Sequence, residues 1–205
     1  MKRILISIAV LFLLILPLAW YSGHSVLADP AEQSMRLPGD EFIPAARASQ
    51  TQAITIERSP REVGPWLAQM GSGRGGWYAY DFIDNGGHPS ARKILAEYQA
   101  VEPGTVFPAL PGVKDAFTVI QSEPPNVLVL SWKAPSGSCF TTWALVLEEP
   151  RPGLTRLLVR GRVGQDYRPF GLPQAVAIPL ASIAHGVMQR KELVELKERA
   201  EAVKP

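Results

Sequence analysis

The chain has 205 residues, 46% hydrophobic and 20% charged, which excludes wholesale disorder and leaves room for one ordinary globular core. Lys and Arg number 21 against 19 Asp and Glu, a net +2, so the basic field of a nucleic-acid binder is missing and no nucleic-acid partner is expected. One cysteine, Cys139, excludes an internal disulfide framework and any CxxC site; with three histidines (His24, His88 and His185), no metal or other cofactor is expected.

Lys2 and Arg3 precede an apolar run from Ile4 to Trp20, broken only by Ser7 and Pro17. Its 17 residues fall between a secretory core of about 7–15 and a spanning helix of about 20. Val26 and Ala28 are small residues at the positions a signal peptidase reads, which would place a cut before Asp29. Trp20 and Tyr21 instead suit the interfacial belt of a retained anchor. Residues 1–28 are therefore expected to be a membrane anchor or a signal peptide. Either way the basic end stays in the cytoplasm and the remainder faces the periplasmic or extracellular side, tethered or, after cleavage near Ala28, secreted. Lys2 and Arg3 supply the whole charge excess, so the exported part is formally neutral and carries no polybasic membrane patch. A lone Cys139 is compatible with an oxidising compartment and would be inert if buried.

Residues 29–50, with Pro30, Pro38, Gly39 and Pro44, read as a linker or an extended lead-in, and 51–205 as the domain. Thr51–Arg58 alternates as a strand. Ser59-Pro60, with Glu62 behind, opens a helix to about Met70, whose Val63, Trp66, Leu67 and Met70 form one apolar stripe. Short helices are expected over Tyr80–Asn85 and Ser90–Glu97. From Thr105 the pattern turns to strands: Ala116–Gln121, Val127–Trp132, Cys139–Leu147 and Leu154–Val163, separated by Pro/Gly/Asn turns at 123–126, 135–137 and 149–153. Short turns between alternating strands predict an antiparallel meander. A last helix is expected from about Ala181 to Val203, after prolines at 169, 173 and 179. Strand, helices, meander and long helix make an α+β fold with helices on one side of a curved sheet.

Few motifs carry chemistry. Gly71-x-Gly73-x-x-Gly76 fits the dinucleotide expression but follows a helix, where the fingerprint needs a strand, and reads instead as a flexible loop. No G-x-S-x-G or H-E-x-x-H occurs. Asp81, His88 and Ser90 share one loop with no oxyanion geometry implied, and His185 reads as a solvated or capped histidine. Trp66, Trp77, Tyr78, Tyr80, Phe82, Trp132 and Trp143 are many large rings, suited to a core or to an apolar pocket. Arg156, Arg160 and Arg162 share one strand face, which is either solvated or, if concave, able to hold a carboxylate or phosphate headgroup.

The stretch Ala53–Asn85 resembles the opening of an SRPBCC-type protein of the START/Bet v 1-like superfamily, related to polyketide cyclases and dehydrases. The block Trp66-Leu67-x-Gln69-Met70-Gly71 followed by Arg74-Gly75-Gly76-Trp77-Tyr78-x-Tyr80-Asp81 carries most of it. Ser90-Ala91, Tyr98-Gln99, Pro103-Gly104, Glu123-Pro124-Pro125, Thr142-Trp143-Ala144, Thr155-Arg156-Leu157 and a tail with Met188, Leu193 and Arg199 continue it, over roughly Leu37 to Ala202. Where such relatives tend to carry a longer insert with an Ile-His pair, this chain has Gly86-Gly87-His88-Pro89, so no role passes to His88.

The resemblance implies a helix-grip fold, in which a long C-terminal helix lies across a curved antiparallel sheet over an apolar cavity. It implies a hydrophobic small molecule or lipid as partner, and it assigns no catalytic residues. Trp66, Trp77, Tyr78, Tyr80, Trp132, Trp143 and Met188 are the expected cavity residues, Gln69, Arg74 and Asp81 the polar ones, and Gly71, Gly73, Gly75 and Gly76 a gate loop. Two alternatives remain at this stage. One is a cyclase-, aromatase- or hydrolase-type enzyme using Asp81 in the same cavity. The other is a structural or interaction domain whose cavity is filled by its own rings.

Overall fold

The computed structural model describes Pro17, Trp20, Tyr21 and residues 24–133, 139–165, Tyr167 and 171–202. A short helix α1 (Pro30–Ser34) and a 3-10 turn (Asp40–Phe42) precede β1 (Ala48–Ile56), α2 (Pro60–Ala68) and α3 (Asp81–Asp84). A second 3-10 turn (Ala96–Tyr98) leads to β2 (Val106–Pro108), β3 (Ala116–Glu123), β4 (Val127–Lys133), β5 (Cys139–Arg151), β6 (Leu154–Val163) and α4 (Gln174–Ala202). The six strands form one antiparallel sheet in the order β1-β6-β5-β4-β3-β2, and α4 packs against it. This is the arrangement that the SRPBCC resemblance implies.

Alternation along the strands builds the main core. Ile54 and Ile56 on β1, Leu157 and Val159 on β6, Trp143, Leu145 and Leu147 on β5, and Leu128 and Leu130 on β4 meet Leu193, Leu196 and Ala200 of α4. Trp66, Leu67, Val63 and Met70 join the same cluster, as their stripe predicts. Helix α2 begins with Ser59 and Glu62 in a capping box and Pro60 in its first turn.

Several expectations are corrected. Residues 29–47 are no linker. They fold over the outer face of the sheet, where Ala28 and Leu37 pack on Ala53, Val146 and Leu158. The arginine face expected to be solvated or to hold a headgroup is what this segment covers. Arg156 grips Glu32 with two hydrogen bonds of 2.7 and 2.8 Å. Arg160, 3% exposed, donates to Asp40 at 2.8 Å, to Thr51 Oγ1 at 2.8 Å, and to the carbonyls of Glu32, Gln33 and Met35. Arg162 donates to Ile43 O at 2.8 Å. The side chains that alternation turns outward thus find their acceptors in sequence-distant residues.

The remaining corrections concern element bounds. Strand β1 starts at Ala48, three residues before the expected Thr51, because it pairs with β6 along the whole of Ala48–Val163 to Ile56–Thr155. Ser90–Glu97 forms no α-helix. Gln69 holds it extended instead, donating to Lys93 O and accepting from Leu95 N. Helix α4 starts at Gln174 and runs through Pro179. The missing amide costs one bond in the second turn, and the neighbouring Ala175, Ala177 and Ala181 are strong helix formers.

The 4–20 run, apart from Pro17 and Trp20, the turn at 135–137, the Cys139 side chain and the last residues of the chain lie outside the described residues. Among the described residues no helix is long and apolar enough to cross a membrane.

Candidate functional site

Between the inner face of the sheet and the first half of α4 lies a cavity of about 310 Å³. That is at the small end of ligand pockets, about 300–1,000 Å³. Strand alternation supplies one wall: Trp143 from β5, Phe117 from β3 and Gly161 from β6. Trp77 stacks on Trp143 with ring centroids 5.5 Å apart, and Phe117 lies 5.5 and 5.6 Å from the two rings. Trp132 and Tyr167 flank Phe140 at 5.6 and 5.0 Å, and with Ile178 and Ala181 they are half-buried and mark the open side.

Helix α4 supplies the polar end. His185, Gln189 and Glu192 follow each other at spacings of four and three residues on one face, with Met188 beside them. Trp143 Nε1 donates to Gln189 Oε1 at 2.7 Å, and Gln189 Nε2 donates to Glu192 Oε1 at 2.9 Å. The indole and the carboxyl are thereby linked through one amide. Burial pushes the Glu192 carboxyl well above the carboxylate range; the Gln189 hydrogen bond offsets part of this, and the Asp84 charge adds to it. Burial therefore favours the neutral, protonated form of Glu192. Burial pushes His185 down to about 4, so its imidazole is uncharged at neutral pH. The ring lies edge-on to Trp143 at 5.9 Å and 3.2 Å from where a Cβ on Gly161 would stand, so a side chain there would crowd the imidazole. His185 is thus a buried wall of the cavity, not a solvated or capped surface residue.

Asp84, at the end of α3, completes the polar end. It is 6% exposed, and neither carboxylate oxygen closes a hydrogen bond of full geometry, although the backbone amides of Tyr80 and Asp84 lie near enough to act on it. Burial pushes its pKa up to about 6, the Tyr80 amide offsets part of that, and the charge of Asp81 adds to it. Gln50 Oε1, also on the cavity-lining segment of β1, is a second buried acceptor without a partner.

Of the residues singled out from sequence, Trp77, Trp132, Trp143 and Met188 line this cavity. The rest are placed elsewhere. Tyr78 donates to Trp66 O at 3.2 Å and accepts from Gln69 Nε2 at 2.8 Å, which makes these three a buried brace behind α2. Arg74 caps the end of α2, donating to Met70 O and Ala68 O, with its guanidinium 4.5 Å from the Tyr98 ring and 4.6 Å from that of Phe107. Asp81 is engaged by the backbone N–H and the hydroxyl of Ser90. Tyr80 sits beside Tyr21. The Gly71–Gly76 turn does not border the cavity. It is closed by reciprocal backbone hydrogen bonds of 3.1 and 3.0 Å between Gly71 and Gly76, and Gly75 N donates to Gln69 O at 2.7 Å. A gate at this turn is therefore replaced by a locked corner.

Among the described residues no group of three or more His, Cys, Asp and Glu converges as a metal set. The arrangement offers an aromatic slot closed by two buried carboxyls and a neutral imidazole.

No family model and no curated protein matches the chain. Among solved structures it is similar to an HSP90 activator from Plasmodium falciparum, at 11% identity over 71% of this chain and 94% of that one, with a TM-score of 0.45. It is similar to a polyketide-cyclase-like protein from Corynebacterium glutamicum at 15% identity, over 73% and 88% of the two chains, with a TM-score of 0.44. It is also similar to the Aha1 dimer from Colwellia psychrerythraea at 14% identity, over 69% and 96%, with a TM-score of 0.38.

Proposed function

We propose that the protein binds a compact hydrophobic molecule in the cavity between its sheet and its C-terminal helix. The observation that carries this reading is the void of about 310 Å³ walled by Trp77, Phe117 and Trp143 and closed by a few polar groups. A volume at the small end of the range suits a compact ligand better than a long-chain lipid. It also weighs against a domain filled entirely by its own rings, although Trp66 and Tyr78 do fill the core beside the cavity. Tethering to a membrane through residues 4–20, with the domain on the outer side, belongs to the same proposal. It rests on the apolar run from Ile4 to Trp20, while Val26 and Ala28 are built into the core and Ala53 N donates to Val26 O at 2.9 Å. A cut before Asp29 would strip those contacts away, which favours retention of the leading segment.

The binding reading is tested by titrating the full chain with N-phenyl-1-naphthylamine, alongside Ala181→Trp, which places an indole in the cavity. Saturable one-to-one fluorescence enhancement that the substitution abolishes, with circular dichroism unchanged, is expected. Enhancement that persists in Ala181→Trp would place the probe elsewhere and sink the reading.

A further inference from the structure

The inner end of the cavity holds buried hydrogen-bond acceptors that no donor among the described residues meets in good geometry. Both Asp84 oxygens and Gln50 Oε1 are buried without a hydrogen bond of full geometry, the Tyr80 and Asp84 amides offsetting only part of the burial of the carboxyl. Leaving such groups unpaired costs about 1–3 kcal/mol each, which a ligand carrying donors would recover. Among the described residues no cation serves them. Arg162, the one guanidinium among the described residues lining the cavity, is held by Ile43 O at 2.8 Å and by Asp40 at 3.3 Å. The Trp77, Trp143 and Phe117 rings line the same cavity, and aromatic rings attract positive charge.

We propose that the ligand is a compact apolar molecule bearing one protonated amine, with the ammonium at the Asp84 end of the cavity. This rests on the cavity being a ligand site. The charge balance of the groups at that end agrees with it. At pH 8 Asp84 is ionised and His185 is neutral, while burial favours the neutral form of Glu192, so Asp84 is the carboxylate at that end that meets a cation. Asp81, whose charge is felt at Asp84, adds to the negative potential there.

The test uses three isosteres of one cage: 1-adamantanamine, 1-adamantanol and 1-adamantanecarboxylate, each displacing N-phenyl-1-naphthylamine from the full chain at pH 8. The amine should displace the probe at a concentration about tenfold or more below the alcohol, with the carboxylate weakest. In Asp84→Asn the amine and the alcohol should become equal, and at pH 5 the preference in the natural chain should shrink as Asp84 takes up its proton. Equal displacement by amine and alcohol in the natural chain, or an amine preference that survives Asp84→Asn, would overturn the amine assignment while the binding reading stands. Failure of the probe itself to bind would overturn both.

Discussion

Replacing Asp84 by Asn should stabilise the protein, and the gain should depend on pH in one particular way. The carboxyl is moved from 3.8 to about 6, chiefly by burial. The folded state therefore holds the proton more tightly than the unfolded one, and stability falls as pH rises from about 4 through 6. Below about pH 3 the carboxyl is protonated in both states, and by pH 4 the natural chain and Asp84→Asn should already be close to equal. Above pH 7 the deficit is complete. A displacement of this size corresponds to about 3 kcal/mol, and water entering the cavity screens part of it, so a gain of about 1–3 kcal/mol is expected. Urea unfolding of both proteins at pH 4, 5, 6 and 8 reads the difference directly, and other titrating groups cancel between them. Curves that stay parallel across this range would show that Asp84 is neither strained by burial nor unpaired.

Other perturbations test the remaining architecture. Arg160→Met removes five hydrogen bonds and leaves buried acceptors behind, so urea unfolding should show a loss of about 3–5 kcal/mol; a loss under about 1 kcal/mol would mean that residues 29–47 are not held by this arginine. Gly76 and Gly73 should part company. A Cβ on Gly76 would meet Ser90 Oγ at 2.2 Å, whereas one on Gly73 meets nothing within 4 Å. Thermal melts should therefore show a loss of about 2 kcal/mol or more for Gly76→Ala and about 1 kcal/mol of left-handed strain for Gly73→Ala. Stopped-flow probe release should be unchanged in Gly73→Ala, since the turn is not on the cavity. His185 is held near 4 against an ordinary 6.5, so the unfolded state takes up its proton first and stability is lost as pH falls through this window. His185→Gln should accordingly move the acid-unfolding midpoint, followed by circular dichroism, to lower pH.

The sheet was legible because alternation is a local signal. Leu128 and Leu130, Trp143 and Leu145, and Leu157 and Val159 announce their strands, and Ser59, Pro60 and Glu62 announce the start of α2. The outer face was not legible. Arg160 reads as solvent-facing until Glu32, Gln33, Met35 and Asp40 arrive from more than a hundred residues away. The polar end of the cavity had a readable sign that went unused. His185, Gln189 and Glu192 lie on the same side of α4 as Leu193 and Leu196, and polar groups continuing an apolar stripe are candidates for a buried site. Asp84 offered no comparable sign, because its burial comes from the way the short α3 is laid against the cavity. Arg74 and Asp81 bracket the Trp77–Tyr80 rings in sequence, but their partners, the end of α2 and Ser90, are set by the fold of the turn.

The central claim is that the space between sheet and helix holds a ligand. Native mass spectrometry of the full chain, released from detergent and followed by organic extraction, tests it most directly. The expected spectrum carries one additional discrete mass per chain, lost in Ala181→Trp and recovered in the extract as a compact apolar amine. A spectrum of bare chain only, with no uptake of N-phenyl-1-naphthylamine or of the adamantane series, would contradict the claim.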